Sequence, residues 1–203
     1  TIYSYSNISI IFRRGTMSKP KILVIVGTTR QGRSGRKVAD WYMSQVAALN
    51  PEAVFELFDL ADWNLPLFDE PMSPMMHQYN DIQNKLEEKI GPADGFVFVT
   101  AEYNHSVSAS LKNLIDYLNA EWGHKVAAYV GYGAIGATRA IEHLTQIMVE
   151  LRSASVREQV RIHEIWAALD ENGQPKDGFV HGDVKAQVDE LLWWVNALKA
   201  ARG

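Results

Sequence analysis

The stretch KILVIVGTTRQGRSGR, residues 21–36, is the part of the sequence that best indicates the fold. It begins with the aliphatic run Ile22 to Val26, which predicts a parallel strand buried on both faces. The loop that starts at Gly27 carries hydroxyls, arginines and further glycines, which suit hydrogen bonding to an anion. A helical pattern begins at Lys37, so the loop should lie at a helix N-terminus, where peptide dipoles add partial positive charge. Strand, loop and helix together predict a phosphate-binding site.

Three kinds of phosphate loop can be compared with this stretch. The spacing of Gly27 and Gly32 misses the Walker pattern of nucleoside triphosphatases by one residue, and Arg33 stands where that pattern needs a lysine. The dinucleotide fingerprint GxGxxG is absent, which argues against a dinucleotide site in this loop. A mononucleotide loop remains, and a tight turn with solvated arginines is the alternative interpretation.

Composition excludes several functional classes. The 203 residues are 47% hydrophobic and 22% charged, which is typical of a globular chain and favours one domain. The net charge of −4 and pI of about 5.9 do not indicate a nucleic-acid surface. No apolar run approaches the roughly 20 residues that a membrane span needs. The absence of cysteine excludes disulfides and a cysteine nucleophile, and it is compatible with a cytoplasmic protein.

The first residues differ in character from the rest. Their short apolar stretch is followed by arginines, the reverse of a secretory signal, and Met17 would make a natural start just before the first strand. We expect residues 1–18 to be a disordered leader or an artificial extension. Residues 19–203 are expected to form the ligand-binding domain.

The remaining sequence alternates strand and helix patterns. Further strands are predicted at 53–60, 95–100, 125–130 and 156–162, and helices at 81–90, 138–151 and 183–201. The sequence DENG at 170–173 predicts a hairpin-type turn before the last helix. This alternation predicts an α/β fold, in which ligands collect at the carboxyl edge of the parallel sheet.

The connection over residues 61–79 is too apolar for a solvent-exposed linker that makes no contacts. It contains Trp63, Phe68 and the methionines Met72, Met75 and Met76. It either packs on its own domain or reaches over the ligand or a partner subunit, because long loops in compact domains are usually functional.

Two more loops follow predicted strands, AEYNHS at 101–106 and GYGAIG at 131–136. Together with GTTRQGR at 27–33, LKN at 111–113 and Arg139, they resemble the NADPH-dependent FMN reductases. This family of flavodoxin-like enzymes includes quinone, azo-dye and chromate reductases. The resemblance extends from Lys21 to the last helix.

The resemblance implies a flavodoxin-like three-layer sandwich, with a five-stranded parallel sheet of order 2-1-3-4-5 and helices on both faces. It implies FMN as cofactor and NADPH as transient electron donor. Hydride from NADPH would pass through FMN to a small-molecule electron acceptor: a quinone, an azo compound, a metal oxyanion or free flavin. No catalytic side chain is expected, because the flavin carries the chemistry. The resemblance also implies a homodimer that completes each flavin pocket from both chains, or a homotetramer.

By the same resemblance, three groups of residues bind FMN. The phosphate would be held by Thr28, Arg30, Arg33, Ser34 and Gly35. The isoalloxazine ring would be lined, largely through backbone groups, by Ala101, Glu102, Tyr103 and Asn104, and its other edge would be bordered by Gly131, Tyr132 and Gly133. Ala101 replaces the proline that the family usually has, which loosens one backbone dihedral angle.

Several of these residues have simpler interpretations. Glu102 would also suit a surface or interface carboxylate, and Tyr103 a structural role. His105 suggests a proton donor, but an isolated histidine in a polar loop is more often solvated. The histidines form no HExxH set, so no metal site is expected, and no GxSxG elbow indicates a serine hydrolase.

Two functions of a different class remain open at this point. A flavodoxin-type electron carrier would bind the same FMN without NAD(P)H turnover, although such carriers tend to be more acidic than this chain. A nucleotide-sensing or scaffold protein on the same fold would bind FMN weakly or not at all. One fold hosts many functions, so the fold alone does not decide between them.

Overall fold

A six-stranded sheet forms the centre of the computed structural model, which describes residues 18–203. The strands are β1 (Lys21–Val26), β2 (Val54–Asp59), β3 (Gly95–Ala101), β4 (Val126–Tyr132), β5 (Ala154–Ile162) and β6 (Val180–His181). Their order is β2-β1-β3-β4-β5-β6, and the first five run parallel. The predicted order 2-1-3-4-5 is therefore confirmed. The leader expected over residues 1–18 lies, up to residue 17, outside the described residues.

The expected number of strands was wrong by one. The sixth strand, β6, has only two residues and pairs antiparallel with the end of β5, Arg161 opposite His181 and Ile162 opposite Val180. A segment this short has no alternation that sequence patterns can reveal.

Helices cover both faces of the sheet. They are α1 (Gly35–Leu49), α2 (Asp81–Ile90), α3 (Ala109–Asp116), α4 (Thr138–Glu150), the short α5 (Ile165–Ala168) and α6 (Val184–Arg202). Helices α1 and α6 pack on one face, and α2, α3 and α4 pack on the other. Helix α2 has the predicted bounds because Asn80 and Gln83 form a capping box at its start.

The continuous aliphatic run of β1 supplies both faces of the core. Leu23 and Ile25 join the cluster beneath α2, α3 and α4, whereas Ile22, Val24 and Val26 join the cluster beneath α1 and α6. All five side chains are fully buried. This is the burial expected of a parallel strand with helices on both sides.

The connection over residues 61–79 packs on its own domain, which is one of the two predicted alternatives, and its contact with the ligand or a partner subunit stays a prediction. In its first half, Trp63 stacks on Phe58, and Phe68 meets the edge of Tyr117. Four of its apolar side chains remain exposed, Leu67, Met72, Met75 and Met76.

The turn predicted at residues 170–173 is confirmed. The Asp170 carboxylate accepts hydrogen bonds from the N–H groups of Asn172 and Gln174, and Gly173 has a φ of +76°. Within residues 18–203, no helix has both the length and the apolar character required to cross a membrane.

Candidate functional site

The loops that follow β1, β3 and β4 meet at the carboxyl edge of the sheet. The Gly27 N–H donates to the carbonyl of Val99 in β3 at 2.9 Å. The Gly27 carbonyl accepts from Ser108 Oγ at 2.5 Å and from Ser110 Oγ at 3.0 Å. The β1–α1 loop is therefore tied to β3 and to the start of α3.

Thr28 and Tyr132 join the first and third loops inside the protein. Thr28 Oγ1 and the Tyr132 hydroxyl lie 2.9 Å apart, and both side chains are buried. Burial raises the pKa of Tyr132 to about 12, so the phenol stays neutral at ordinary pH. A Cβ on Gly35 would lie 2.5 Å from Thr28 Oγ1 and 2.6 Å from the Tyr132 hydroxyl, so glycine is required beside this pair.

The Arg33 guanidinium forms hydrogen bonds within the protein. Its guanidinium donates to both carboxylate oxygens of Asp59, at 2.9 and 2.8 Å, and to the Thr28 carbonyl at 2.9 Å. The Asp59 side chain is only 2% exposed. This bidentate pair fixes the curve of the β1–α1 loop, and contact between Arg33 and a phosphate stays a prediction.

Arg30 and Ser34, in contrast, keep hydrogen-bonding groups available. Arg30 is exposed and donates through Nε to the Tyr103 hydroxyl at 3.1 Å, while its two terminal nitrogens have no partner among residues 18–203. Ser34 is the N-cap of α1, yet its hydroxyl makes no capping bond. The first intrahelical bond runs from Val38 to Ser34, which leaves the preceding backbone N–H groups of α1 outside the helical ladder.

The second loop folds into a tight two-residue hairpin. Tyr103 and Ser106 exchange backbone hydrogen bonds of 2.8 and 3.2 Å around Asn104 and His105. Asn104 and His105 both have positive φ, 49° and 77°, as a type I′ turn requires. The turn leaves the side chains of Asn104 and His105 exposed, and the Tyr103 hydroxyl in contact with Arg30.

Glu102 attaches this second loop to helix α4. Its carboxylate pairs with the Arg139 guanidinium and accepts from the Arg139 N–H at 3.2 Å. The N-cap of α4 is Ala137, which has no side-chain group to offer, so Glu102 provides the negative charge favoured at a helix start. Its side chain is 8% exposed, which argues against the simple surface carboxylate.

The third loop contains two glycines with different surroundings. A Cβ on Gly131 would lie 2.2 Å from the Gly136 carbonyl, because the loop folds back over that position. Gly133 has a φ of +153°, and the nearest atoms to its hypothetical Cβ, including the Glu102 nitrogen, are 3.9 to 4.0 Å away. Gly133 therefore borders open space beside the second loop. Ala101 is buried as the last residue of β3 and pairs with Tyr132 in the sheet.

Two important residues were missed by the sequence-based site prediction. Asp59 ends β2 and lies opposite Val26 in the parallel register. That position at the carboxyl edge was a usable signal, since β2 was expected beside β1. Arg139 was quoted in the resemblance but received no role, because its partner Glu102 lies on a different loop.

A family model described as NADPH-dependent FMN reductase matches residues 20–167, which contain all three loops. The chain belongs to this family. Its cofactor is accordingly FMN, and its electron donor is NAD(P)H. The fold expected from the resemblance and the enzymatic class are both confirmed.

Individual relatives extend over most of the chain. An NAD(P)H-dependent FMN reductase of Schizosaccharomyces pombe is 35% identical over 187 residues, which are 91% of this chain and 88% of the relative. An NADPH azoreductase of a Bacillus species is 30% identical over 170 residues, 81% of this chain and 89% of the relative. Among solved structures, the FerB flavoenzyme NAD(P)H:(acceptor) oxidoreductase of Paracoccus denitrificans has a TM-score of 0.60 at 21% identity, covering 88% of this chain and 94% of that one. The similarity to FerB is evidence for the fold alone.

The residues of this family member fit the FMN phosphate. Among residues 18–203, two nitrogens of Arg30 and the hydroxyl of Ser34 have no hydrogen-bond partner, and the first turn of α1 carries no acidic residue that would compete with an anion. Gly32, with a φ of +69°, has no atom within 4 Å of its hypothetical Cβ, so the loop is open on that side. A phosphate monoester needs such donors around an open space.

Proposed function

We propose that FMN binds across the carboxyl edge of the sheet, with its phosphate on the β1–α1 loop and its ring between the second and third loops. Arg30, Ser34 and the backbone N–H groups at the start of α1 are the direct phosphate donors. The observation that supports this is the available hydrogen-bonding capacity of Arg30 and Ser34, next to Thr28 and Arg33, whose side chains already have partners within the protein.

Thr28, Arg33 and Gly35 act by shaping the loop. The Thr28–Tyr132 hydrogen bond holds the start of the loop against β4, and the Arg33–Asp59 pair holds its far side against β2. Gly35 lets α1 approach the Thr28–Tyr132 pair. These contacts preorganise the donors, which lowers the entropy lost when the ligand binds.

The second and third loops present mainly backbone to the ring. The hairpin at residues 103–106 and the Glu102–Arg139 pair fix the backbone of the second loop, and Gly133 leaves room for a flat group beside it. When bound, FMN supplies the redox chemistry by taking hydride from NADPH and passing electrons to an acceptor. The chain binds and orients, and no side chain is required as acid or base.

The acceptors are small molecules that reach the exposed ring. We propose azo compounds and quinones, and an azo substrate is supported by the 30% identical NADPH azoreductase. Metal oxyanions and free flavin stay predictions from the resemblance, and the cytoplasmic location stays a prediction from the absence of cysteine.

Anaerobic addition of NADPH to the purified protein tests this function. The oxidised flavin spectrum should bleach, and later titration with benzoquinone or an azo dye should restore it in stoichiometric amounts. If NADPH does not bleach the flavin while a one-electron donor does, the electron-carrier alternative is favoured. A preparation that binds no FMN on reconstitution would contradict the reductase function and the electron-carrier alternative alike.

We also propose a homodimer that forms through the groove between α3 and α4. The groove has a volume of about 650 Å³, is lined by Ile115, Leu118, Ile147 and Leu151, and reaches Ser106 of the second loop. Exposed apolar side chains, Met75, Met76 and Val149, lie on the connection and the helix that border it. A second copy on this face would lie next to the ring-binding loop. The homotetramer stays a prediction.

A matched pair of variants tests the dimer. Val149 in α4 is 61% exposed, and Val54 at the start of β2 is 51% exposed on another part of the surface. Val149→Asp should give a monomer in light scattering and weaker FMN binding, whereas Val54→Asp should change neither. A wild-type monomer at micromolar concentration would contradict the shared pocket.

A further inference from the structure

Three side chains with metal-binding groups converge on the α2 side of the sheet, near its amino edge. His77 follows the turn Pro74–Met76, Glu87 lies in the last turn of α2, and Glu121 lies in the short turn Ala120–Trp122 before β4. His77 Nε2 is 2.9 Å from Glu87 Oε1 and 3.7 Å from Glu121 Oε1. One ligand atom from each residue lies within 4.8 Å of the other two.

Glu121 is the most informative member of the cluster. Its side chain is 4% exposed. Its Oε2 accepts from the Tyr79 hydroxyl at 2.9 Å and from the Asn119 N–H at 3.1 Å. Its Oε1 points toward His77 and accepts no hydrogen bond from any residue in 18–203. Oε1 itself keeps contact with solvent although the rest of the side chain is buried, so it can accept a cation that approaches from the surface.

The surrounding charges leave this cluster negative. Two carboxylates face one imidazole, which carries at most one positive charge. The buried cation Lys125 donates to the carbonyls of Ile90 and Gly91 and makes no ion pair with Glu121 in the described part of the chain. Additional positive charge would therefore stabilise the cluster.

We propose that His77, Glu87 and Glu121 bind a divalent transition-metal ion such as Zn²⁺. Imidazole nitrogen and carboxylate oxygen are common zinc ligands, and three protein ligands with water in the fourth position form a tetrahedral site. Bonds of roughly 2.0 to 2.1 Å in a tetrahedron place neighbouring ligand atoms about 3.3 Å apart. The two distances from His77 Nε2, 2.9 and 3.7 Å, lie on either side of that spacing. The His77 side chain is 56% exposed, so water can complete the coordination.

The outer groups of the site are also present. Tyr79 holds Glu121 Oε2 and packs its ring 4.3 Å from the His77 ring, so it positions two of the three ligands. Partners of this kind fix the orientation of ligands around a metal. No local motif reveals the site in the sequence, because the ligands come from three separate elements.

The ion would tie the connection over residues 61–79 to the helical layer. His77 belongs to that connection, whereas Glu87 and Glu121 belong to α2 and to the turn before β4. Pro74, three residues before His77, lines the groove between α3 and α4. Metal binding should therefore order the rim of that groove on the side of Pro74.

Calorimetric titration of ZnCl₂ into chelator-treated, tag-free holoenzyme tests the proposal. His77→Ala and Glu87→Gln should each lower the number of bound ions by one per chain relative to wild type. The matched control, Glu88→Gln, removes an exposed carboxylate one position along α2 and should bind like wild type. Tyr79→Phe should raise the Kd about tenfold, because it loosens a ligand without removing one. His77 is exposed, so its replacement should not prevent folding.

Thermal unfolding supplies a second readout that does not depend on activity. Zn²⁺ should raise the midpoint temperature of wild type and of Glu88→Gln, and it should leave that of His77→Ala and Glu87→Gln unchanged, since a ligand of the folded state alone stabilises it. Absence of zinc binding to wild type at micromolar concentration would overturn the proposal. Equal stoichiometry in wild type, His77→Ala and Glu87→Gln would overturn it as well, because the ion would then bind elsewhere.

Discussion

Cationic groups lie at both edges of the sheet, but the two edges differ in how many hydrogen-bond partners these groups have. At the amino edge, Lys199 and Arg202 each lie 2.7 Å from a carboxylate oxygen of Asp94, which also accepts from the Lys21 N–H. At the carboxyl edge, the terminal nitrogens of Arg30 and the hydroxyl of Ser34 have no partner in the described part of the chain. An anion site thus depends on donors left without partners, and a count of positive charges does not identify it.

The largest effect is expected at the glycine that shapes the carboxyl edge. Gly35→Ala would place a methyl group 2.5 Å from Thr28 Oγ1. Overpacking of this kind should cost about 3 kcal/mol of unfolding free energy and, through the displaced loop, weaken FMN binding about 100-fold. Denaturant unfolding and fluorescence titration with FMN measure these effects. Gly32→Ala is the control, because its Cβ meets no atom within 4 Å and only positive φ opposes it, at about 1 kcal/mol. Equal effects in both variants would contradict the packing role of Gly35.

Arg30 provides the next test, since it should matter for binding and little for stability. Arg30→Ala removes charge-assisted hydrogen bonds to the phosphate worth about 2 kcal/mol, so the Kd for FMN should rise about 30-fold. The unfolding free energy should change by less than about 0.5 kcal/mol because the side chain is exposed. Arg36 is a matched control: it is an arginine of the same segment, already paired with Asp40 at 2.8 Å. If Arg36→Ala weakens FMN binding as much as Arg30→Ala, the distinction between free and engaged arginines is wrong.

At the amino edge, a substitution should lower stability and leave FMN binding unchanged. Asp94→Asn deprives Lys199 and Arg202 of a carboxylate that is 11% exposed. We expect a loss of about 2 kcal/mol in unfolding free energy, from leaving cations without their partner, and an unchanged Kd for FMN. Asp189→Asn removes only an exposed pair with Lys185 and should cost less than about 0.5 kcal/mol. A change in FMN affinity in Asp94→Asn would show that the two edges are coupled.

The smallest expected effect is a pH dependence at the amino edge. Burial lowers the pKa of Lys125 to about 8, so above that pH the folded chain releases a proton that the unfolded chain still holds. Stability should therefore rise by about 1 kcal/mol between about pH 8 and pH 9 relative to Lys125→Met, which lacks this titration. Urea unfolding of both proteins across that range measures the difference. Parallel stability curves would contradict a shifted Lys125.

The sequence was sufficient to predict the parallel strands and the main helices. It was insufficient to predict which residues of the loops bind the ligand and which ones hold the loops in place. Buried parallel strands give aliphatic runs, and their carboxyl ends share an edge, so the parallel strands and the meeting of the three loops were predictable from the residues. The strand order was predicted from the family resemblance. The roles of Arg30 and Arg33 were not predictable, because they depend on Tyr103 and Asp59, which lie 73 and 26 positions away along the chain. The pairing of Glu102 with Arg139 and the two-residue β6 likewise arise from tertiary contacts without a local pattern.

The most direct test of the carboxyl-edge site is a comparison of FMN with riboflavin, which lacks the phosphate, by fluorescence titration of the flavin-free protein. If Arg30, Ser34 and the start of α1 bind the phosphate, wild type should bind FMN at least about 100-fold more tightly than riboflavin, since several charge-assisted hydrogen bonds distinguish the two ligands. Equal affinity for FMN and riboflavin would contradict the assignment of the β1–α1 loop as the phosphate site.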